Sequence, residues 1–297
     1  MAPPSVRITL LVDNRRGQPG LRSQWGLAAW IDSGSARVLF DSGGNDAFWR
    51  NAGRLGVPLG SADAFVLSHG HFDHSGGLRK VVEAAPAARL VLHPAALAPR
   101  FSLAKTGKVE RIGLPQRSLD AVLGVVERVV WALAPLQVAP GVWACGPVPR
   151  RNPLEETEKN FFLDLACTVH DHVVDDQAVW VDTPRGLVVV LGCAHAGVVN
   201  TLDHVRRSAA ERSAAGAVWD LPAASDGLPA VHAVVGGMHL LHASPARLRA
   251  TGDALEAAGV RLVGPAHCTG KRATAYLRQR FGGAFVECVT GSVLEID

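Results

Sequence analysis

The sequence predicts a layered α/β fold, in which buried strands alternate with helices in both halves of the chain. Two observations support this class. Many candidate strands, such as residues 187–191, are continuous apolar runs, which are typical of strands covered on both faces. The segments between them have the length and apolar spacing of helices. Since 48% of the 297 residues are apolar, the chain can fill the core of one large domain.

The candidate strands follow one another from the N-terminus as short apolar runs. They are residues 6–12, 27–31, 37–40, 64–67, 89–92, 178–181, 187–191, 231–235 and 261–263. The second and third form a predicted hairpin, because the turn-forming residues Asp32-Ser33-Gly34-Ser35 join them. Helices are predicted at residues 77–84, 198–210, 245–257 and 271–280.

Three segments interrupt this alternation and are predicted to be surface loop insertions. Residues 100–119 are basic and contain glycine, and residues 146–160 carry three prolines and a charged run. Residues 214–229 form the third predicted loop. None of them divides the chain, so we expect a single domain covering residues 1–297.

Charge and cysteine content argue against several classes of protein. The net charge of +3 is small and scattered, whereas a nucleic-acid-binding protein usually has a concentrated basic face. No apolar run approaches the ~20 residues of a membrane helix, and the N-terminus does not resemble a signal peptide. The five cysteines are widely spaced and include no CxxC pair. We therefore expect reduced thiols and a cytoplasmic location.

A histidine follows a buried strand within a few residues at four places in the chain. These histidines are His69, His195, His239 and His267, and nearby glycines permit tight turns. The carboxyl ends of strands form the ligand crevice in open α/β sheets. The four side chains are therefore expected to converge on one site.

The segment His69-Gly70-His71-Phe72-Asp73-His74 places three imidazoles and one carboxylate within six residues. Alternate residues of an extended loop point the same way, so His69 and His71 can bind one ion together. Asp73 and His74 lie on the next turn and can face a second ion. Zinc accepts both ligand types, and two ions ~3.5–4 Å apart can share a hydroxide. The sequence therefore predicts one or two zinc ions, with manganese or iron as alternatives.

This HxHxDH motif resembles that of the metallo-β-lactamase superfamily, whose fold is an αββα sandwich of two mixed sheets flanked by helices. The turn Leu39-Phe40-Asp41-Ser42-Gly43 resembles an early turn of that superfamily, and two later histidines match as well. The ligands that the resemblance implies for a first metal are His69, His71 and His195. Those implied for a second metal are Asp73, His74 and His267.

Five further segments resemble one branch of the superfamily, which contains the 7,8-dihydropterin-6-methyl-4-(β-D-ribofuranosyl)aminobenzene-5′-phosphate synthases and hydrolase-like relatives. They are Leu11-Val12-Asp13-Asn14, Gly192-Cys193-Ala194-His195-Ala196-Gly197, Asn200-Thr201, Gly236-Gly237-Met238-His239-Leu240 and Pro265-Ala266-His267-Cys268-Thr269-Gly270. The resemblance covers nearly the whole chain. It says more about the fold than about the substrate, because loops decide what such folds bind.

One ligand of the wider superfamily is missing from the sequence. Most dinuclear members carry a bridging aspartate between the third and the final histidine, but the corresponding strand ends in Gly236-Gly237-Met238-His239. Either the bridge is absent or His239 takes its place. In both cases the second metal is expected to be the more weakly held.

Other polar residues are candidates for supporting the metals or contacting the substrate. Asp41 is expected to orient a metal-binding histidine or a water molecule. Asn14 and Asn200 either bind substrate or serve as turn and cap residues. His239 either lines the pocket or is a buried bystander. Cys193, beside His195, is interpreted as a small packing residue, although a thiolate can bind zinc.

Three functions fit these features. The first is a metal-dependent hydrolase, in which a metal-bound hydroxide attacks an ester, a phosphoester or a related small molecule and Asp73 acts on the water. The second is a dihydropterin-type synthase acting on a pterin pyrophosphate and an aminobenzene ribotide. The third is a non-catalytic metal-binding protein, against which the complete His/Asp set argues. The charged residues of the predicted loops are interpreted as solvated surface, with attraction of an anionic substrate as the alternative, and the sequence leaves homo-oligomerisation open.

Overall fold

The strands form two large sheets and a small one. The computed structural model describes residues 5–155, 158–214 and 221–296. Numbered along the chain, the first sheet contains β1 (Val6–Val12), β2 (Ala28–Asp32), β3 (Arg37–Phe40), β4 (Ala64–Val66), β5 (Arg89–Leu92), β8 (Val129–Trp131) and β16 (Val293–Ile296). The second contains β9 (Leu136–Ala139), β10 (Val142–Ala144), β12 (Ala178–Thr183), β13 (Gly186–Leu191), β14 (Val231–Gly237) and β15 (Leu262–Ala266). The third contains β6 (Phe101–Leu103), β7 (Val109–Arg111) and β11 (Phe161–Phe162).

Both large sheets combine antiparallel and parallel pairs. The first has the order β16-β1-β2-β3-β4-β5-β8, antiparallel as far as β3 and parallel from β3 to β8. The second has the order β15-β14-β13-β12-β10-β9, and only β13, β14 and β15 are parallel. The parallel strands of each sheet end on one side, where loops can build a site.

The two large sheets pack face to face, and alternation along each strand decides which side chains point inward. Val188 and Val190 of β13 belong to the core between the sheets, together with Phe40 of β3. Their neighbour Val189 belongs to the core outside the second sheet. Strands of this kind are buried on both faces, which explains why they appear in the sequence as continuous apolar runs.

Helices cover the outer face of each large sheet. They are α1 (Ala47–Leu55), α2 (Phe72–Ser75), α3 (Leu78–Ala84), α4 (Gln116–Leu123), α5 (Val198–Ala214), α6 (Pro245–Ala257) and α7 (Lys271–Phe281). Phe48 and Leu78 pack outside the first sheet, and Leu202 and Leu255 pack outside the second. The order of layers is helix, sheet, sheet, helix, which confirms the predicted αββα sandwich.

The nine predicted strands and four predicted helices are all present, with ends that differ by at most four residues. The predicted hairpin is formed by β2 and β3, which pair antiparallel with Asp32 opposite Arg37. Its turn is closed by the Ser33 N–H, which donates to the Ala36 carbonyl over 2.9 Å.

The prediction of a loop at residues 100–119 is wrong. This segment forms the antiparallel pair β6 and β7 and the first turn of α4. Strand β6 also pairs with β11, so that Ser102 lies opposite Phe161. These short strands are half-exposed and lack a long apolar run. They depend on pairing with a segment remote in sequence, which a local pattern does not reveal.

The described parts of the other two predicted loops contain little regular structure. The described residues 146–155 and 158–160 include no helix or strand. Of residues 214–229, the part 215–220 lies outside the described residues, and 221–229 contain one isolated bridge between Ala223 and Pro229. None of the helices in the described ranges has the length and apolar character needed to cross a membrane. The single-domain organisation and the cytoplasmic location stay predictions.

Candidate metal centre

Loops that follow the parallel strands bring the predicted histidines together. His69 follows β4, His195 follows β13, and His267 follows β15 directly. Each of these side chains is buried. Four overlapping groups of facing ligand atoms result, and two of them are the predicted ligand sets, one built on His69 and His195 and the other on His267.

Strained backbone accompanies these loops. Asp41, Ala194, His239 and His267 all have φ values between 48° and 61°, in the left-handed region. For residues other than glycine this conformation is disfavoured by roughly 1–3 kcal/mol and persists only where the surroundings enforce it. Its recurrence at one edge of the sandwich is typical of a functional site.

The first cluster consists of His69, His71 and His195. The Nε2 atom of His69 lies 3.0 Å from Nδ1 of His71 and 3.2 Å from Nε2 of His195. Burial, as the largest cause, lowers the pKa of all three well below the ordinary value of histidine. The imidazoles are therefore neutral and have lone pairs available for a cation.

The second cluster consists of Asp73, His74 and His267. Nε2 of His267 lies 3.1 Å from Nε2 of His74 and 3.3 Å from Oδ2 of Asp73. The distance from His74 Nε2 to the same carboxylate oxygen is 3.8 Å. Burial raises the pKa of Asp73, but His74 and His267 together hold it well below its ordinary value. Asp73 is thus an ionised carboxylate among imidazoles.

The distances in both clusters fit metal ions. Two imidazole nitrogens that face each other direct lone pairs at one another unless a proton or a cation lies between them. A tetrahedral zinc ion with bonds of about 2.0–2.1 Å separates its nitrogen ligands by about 3.3 Å. The facing nitrogens here are 3.0–3.2 Å apart. The donor set and its spacing therefore suit a metal of this kind.

Asp41 supports both clusters from behind, as expected of a carboxylate that orients metal-binding histidines. Its Oδ2 atom lies 2.6 Å from Nδ1 of His74 and accepts a hydrogen bond from the Ser68 hydroxyl over 2.7 Å. The same hydroxyl lies 2.9 Å from Nδ1 of His69. Burial lowers the pKa of His74, but Asp41 and Asp73 outweigh it and raise that pKa to about 9.

Asn14 positions His267. Its Nδ2 donates to the His267 carbonyl over 3.0 Å, and its Oδ1 lies 2.9 Å from Nδ1 of the ring. The neighbouring Asp13 accepts the backbone N–H of His267 over 2.7 Å. The two side chains hold His267 in its strained conformation. Asp13 is a supporting residue that the sequence analysis missed, although it lies in one of the matching segments.

Asn200 does not join the cluster. Its Oδ1 accepts the backbone N–H groups of Arg151 and Asn152 over 2.9 and 2.8 Å, and its Nδ2 donates to the Ala196 carbonyl. Two roles were predicted for Asn200, substrate binding and a turn or cap role. These contacts favour the turn or cap role. Asn200 fastens residues 151–152 to the start of α5, and none of its side-chain hydrogen bonds among the described residues goes to a predicted ligand.

Cys193, interpreted from the sequence as a packing residue with zinc binding as the alternative, lies beside the candidate ligands. Its Sγ atom is 3.1 Å from Nε2 of His74. Its thiol also lies within 4.8 Å of a ring nitrogen of His69, so it sits between the two clusters. Burial raises the pKa of this thiol in the absence of a cation. No pattern in the sequence marks the contact, since Cys193 and His74 are 119 residues apart.

His239 lines the site without joining either cluster. Its ring centroid is 4.3 Å from that of His195, and its Nε2 lies 2.7 Å from a carboxylate oxygen of Glu158. Its backbone N–H donates to the Cys268 thiol. Burial lowers the pKa of His239, but Cys268 and Glu158 raise it to about 9. Glu158, in the predicted loop 146–160, is a second residue that the sequence analysis missed.

Two adjacent cavities that share lining residues lie beside the clusters. The first has a volume of about 160 Å³ and is lined by His71, Asp73, Cys193, His195, His239 and His267, with Trp25 and Phe161 among the apolar residues. The second has a volume of about 510 Å³ and shares four lining residues with the first, namely Trp25, Phe161, His239 and Cys268. A small molecule can therefore extend from the ligand cluster into the larger cavity.

A buried ion-pair network holds the backbone of the HxHxDH loop. The Arg100 guanidinium lies 3.3 Å from the carboxylate of Asp171 and also pairs with Asp175. The second carboxylate oxygen of Asp175 accepts the Gly70 N–H over 2.8 Å. All three charged side chains are almost completely buried. The network connects the small sheet to the loop that carries His69 and His71.

Replacing Arg100 with leucine is expected to destabilise the metal-free protein by about 3–5 kcal/mol, because two buried carboxylates lose their cation. Urea denaturation measures the effect. Arg79→Leu serves as the control, since Arg79 forms an exposed pair with Glu83 and its loss should change stability by less than about 0.5 kcal/mol. Equal stabilities for the two variants would contradict a role for the network.

Comparison with known proteins places this site in a family. Residues 26–201 match the family model of the metallo-beta-lactamase superfamily, a span that includes the HxHxDH motif and His195. The chain is also 28% identical over 289 residues to the 7,8-dihydropterin-6-methyl-4-(beta-D-ribofuranosyl)-aminobenzene-5'-phosphate synthase of Methanocaldococcus jannaschii. That alignment covers 92% of this chain and 90% of the relative.

Solved structures agree with the family match. The crystal structure of Tm1679, named a metal-dependent hydrolase of the beta-lactamase superfamily, matches with a TM-score of 0.76 at 28% identity and covers 98% of this chain and 99% of that one. The metallo-beta-lactamase fold protein YhfI from Bacillus subtilis shares the fold at 13% identity, with a TM-score of 0.55 and coverage of 97% and 99%. With a family match over more than half of its length and an αββα sandwich that carries the HxHxDH loop at one edge, the chain belongs to the metallo-β-lactamase superfamily.

Proposed function

We propose that the protein is a metal-dependent hydrolase that cleaves an ester or phosphoester bond of a small molecule. The observation that carries this proposal is the pair of adjacent ligand clusters opening on one cavity. The proposed ligands of the first metal are His69, His71 and His195. Those of the second are Asp73, His74 and His267. The likeness to Tm1679, itself named a metal-dependent hydrolase, supports the proposal.

The bound metal would supply Lewis acidity and lower the pKa of water toward neutrality. Side chains of the protein would orient the attacking water and exclude bulk water. Asp73 reaches the cavity as an ionised carboxylate, so it can accept a hydrogen bond from the attacking water and orient a lone pair of that water toward the substrate. Trp25 and Phe161, which pack edge-on against ligand imidazoles, restrict the entry of bulk water.

Purified protein is expected to contain at least one transition metal ion per chain, with zinc favoured and manganese or iron as alternatives. Elemental analysis measures the content. The double variant His71→Ala/His195→Ala should lose the metal, whereas His232→Ala, which changes a histidine outside the clusters, should retain it. Protein that contains no metal and takes up none on soaking would refute the metal-dependent function.

A phosphodiester with a chromogenic leaving group, such as bis(p-nitrophenyl) phosphate, tests the hydrolase directly. The metal-loaded protein should release the chromophore and the His71→Ala/His195→Ala variant should not. A protein that binds metal but hydrolyses none of a panel of phosphodiesters, carboxylic esters and lactones would contradict the hydrolase assignment.

The 28% identity to the Methanocaldococcus jannaschii synthase supports a second candidate, a transferase of the dihydropterin type. Incubation with a dihydropterin pyrophosphate and an aminobenzene ribotide separates the two. Formation of the joined product with release of pyrophosphate would establish the synthase. A protein that binds metal but catalyses neither reaction would support the third function, a non-catalytic metal-binding protein.

A further inference from the structure

We infer that the larger cavity holds a subsite for the phosphate or carboxylate group of an anionic substrate, with Arg247 as its anchor. The inference rests on the proposed function, because the reacting bond of the same substrate would lie at the metal clusters. It identifies the chemical class of the substrate, which neither the ligand set nor the fold specifies.

Arg247 is a buried cation, and two of its three side-chain nitrogens have unused donors. It lies in the first turn of α6 and is 8% exposed. Its Nε and Nη2 atoms are buried and have no hydrogen-bond partner within the described ranges 5–155, 158–214 and 221–296. A guanidinium ion carries five N–H donors, and removing them from water without compensation is strongly unfavourable. A buried arginine of this kind is expected to bind an anion.

The carboxylates that interact electrostatically with Arg247 are engaged elsewhere. Both oxygens of Glu155 accept backbone N–H groups at the start of α5, from Val199 over 2.9 Å and from Asn200 over 2.7 Å. Glu158 is paired with His239 over 2.7 Å. These acids offset part of the charge of Arg247 but leave its Nε and Nη2 donors free. A ligand can therefore use them.

The cavity beside Arg247 suits an anionic group. Lys159 and His242 also line it, and the N-terminus of α6 lies against it. A helix N-terminus carries positive partial charge, and a guanidinium binds a phosphate or carboxylate through two parallel hydrogen bonds. Glu158 is the single carboxylate among the described lining residues, and its Oε1 atom lies 2.7 Å from Nε2 of His239.

The same cavity leads to the metal clusters. His239 and Cys268 line both cavities, and so do Trp25 and Phe161. With a volume of about 510 Å³, the larger cavity holds more of a substrate than the 160 Å³ space over the clusters. An anionic group held at Arg247 would therefore direct the rest of the molecule toward the metals.

The test uses metal-loaded protein labelled with ¹⁵N and three small probes. They are phenylphosphonate, which is not hydrolysed, benzoate, and the neutral benzyl alcohol. The Nε–H resonance of Arg247 should shift with phenylphosphonate or benzoate and stay in place with benzyl alcohol. The two anions distinguish a phosphate subsite from a carboxylate subsite.

Calorimetry with variants gives the size of the effect. Arg247→Gln should weaken binding of the preferred anion about ten- to hundredfold, in line with the loss of hydrogen bonds to a charged group. Arg247→Lys should bind with intermediate affinity, because it keeps the charge but loses the paired donors. Arg249→Gln is the matched control, since Arg249 is an exposed residue of the same helix.

Two results together would overturn the subsite: an Arg247 resonance that does not move at saturating anion, and anion affinity in Arg247→Gln equal to that of the parent. Should Arg247→Gln fail to fold, the parent resonance and Arg247→Lys decide. The metal content of each variant is also measured, so that absence of the anion subsite can be distinguished from failure of the proposed metal-dependent function. A protein without metal would refute the hydrolase, and the Arg247 resonance would still report on the anion.

Discussion

Replacing Asp73 with alanine is expected to reduce turnover by a factor of about 10²–10⁴, the usual contribution of a positioned acid–base group. Asp73 is the only carboxylate in either of the two proposed ligand triads among the described residues. Its loss removes a second-site ligand and the group that would orient the attacking water. The fold should survive, because the contact of Asp73 with Leu27 uses the backbone carbonyl.

Steady-state kinetics on a hydrolysed substrate measures this loss, and circular dichroism with thermal melting of the metal-free proteins checks the fold. Asp73→Asn keeps the shape of the side chain and should lose nearly as much activity, because the charge is gone. Asp203→Ala changes a surface carboxylate of α5 and should behave as the parent. Full activity in Asp73→Ala would show that Asp73 has no catalytic role.

The second metal is expected to bind more weakly than the first, and Cys193 is expected to strengthen it. Two divalent ions would bring four positive charges into the site, against the carboxylate of Asp73 and five imidazoles that carry no charge when they coordinate metal. A metal ion deprotonates a coordinating thiol, so Cys193 would add a negative charge between the clusters. His239 adds none as a neutral ligand and lies outside both triads.

Calorimetric titration of the metal-free parent should resolve two unequal steps, the weaker tightening when phosphate is added. Cys193→Ser should weaken that step about ten- to hundredfold and leave the first unchanged. Cobalt-loaded parent should show sulfur-to-metal charge-transfer absorption that Cys193→Ser lacks and that the control Cys288→Ser, a buried thiol outside the clusters, retains. Two equally tight metal-binding steps, unchanged by phosphate and by Cys193→Ser, would contradict a weaker second site that Cys193 strengthens.

Much of the fold was predictable from the sequence because its main strands are buried on both faces. Every residue of β13 is apolar or glycine, so each position contributes to the apolar run that predicts a buried strand. Some of the strands that escaped prediction are stabilised differently. β16 buries alternate residues and pairs with β1 at the other end of the chain. β6 and β7 are largely unburied, and β6 pairs with β11 about sixty residues later.

The sequence by itself determined the HxHxDH loop, because His69, His71, Asp73 and His74 lie within six residues and backbone geometry alone brings them close. It also located the later histidines, each at the end of a buried strand. Only the tertiary structure decided which other groups meet them. Cys193 reaches His74 across 119 residues, and Glu158 reaches His239 across 81. Such contacts are set by how two sheets and their loops pack, and hydrophobic periodicity carries no information about that arrangement.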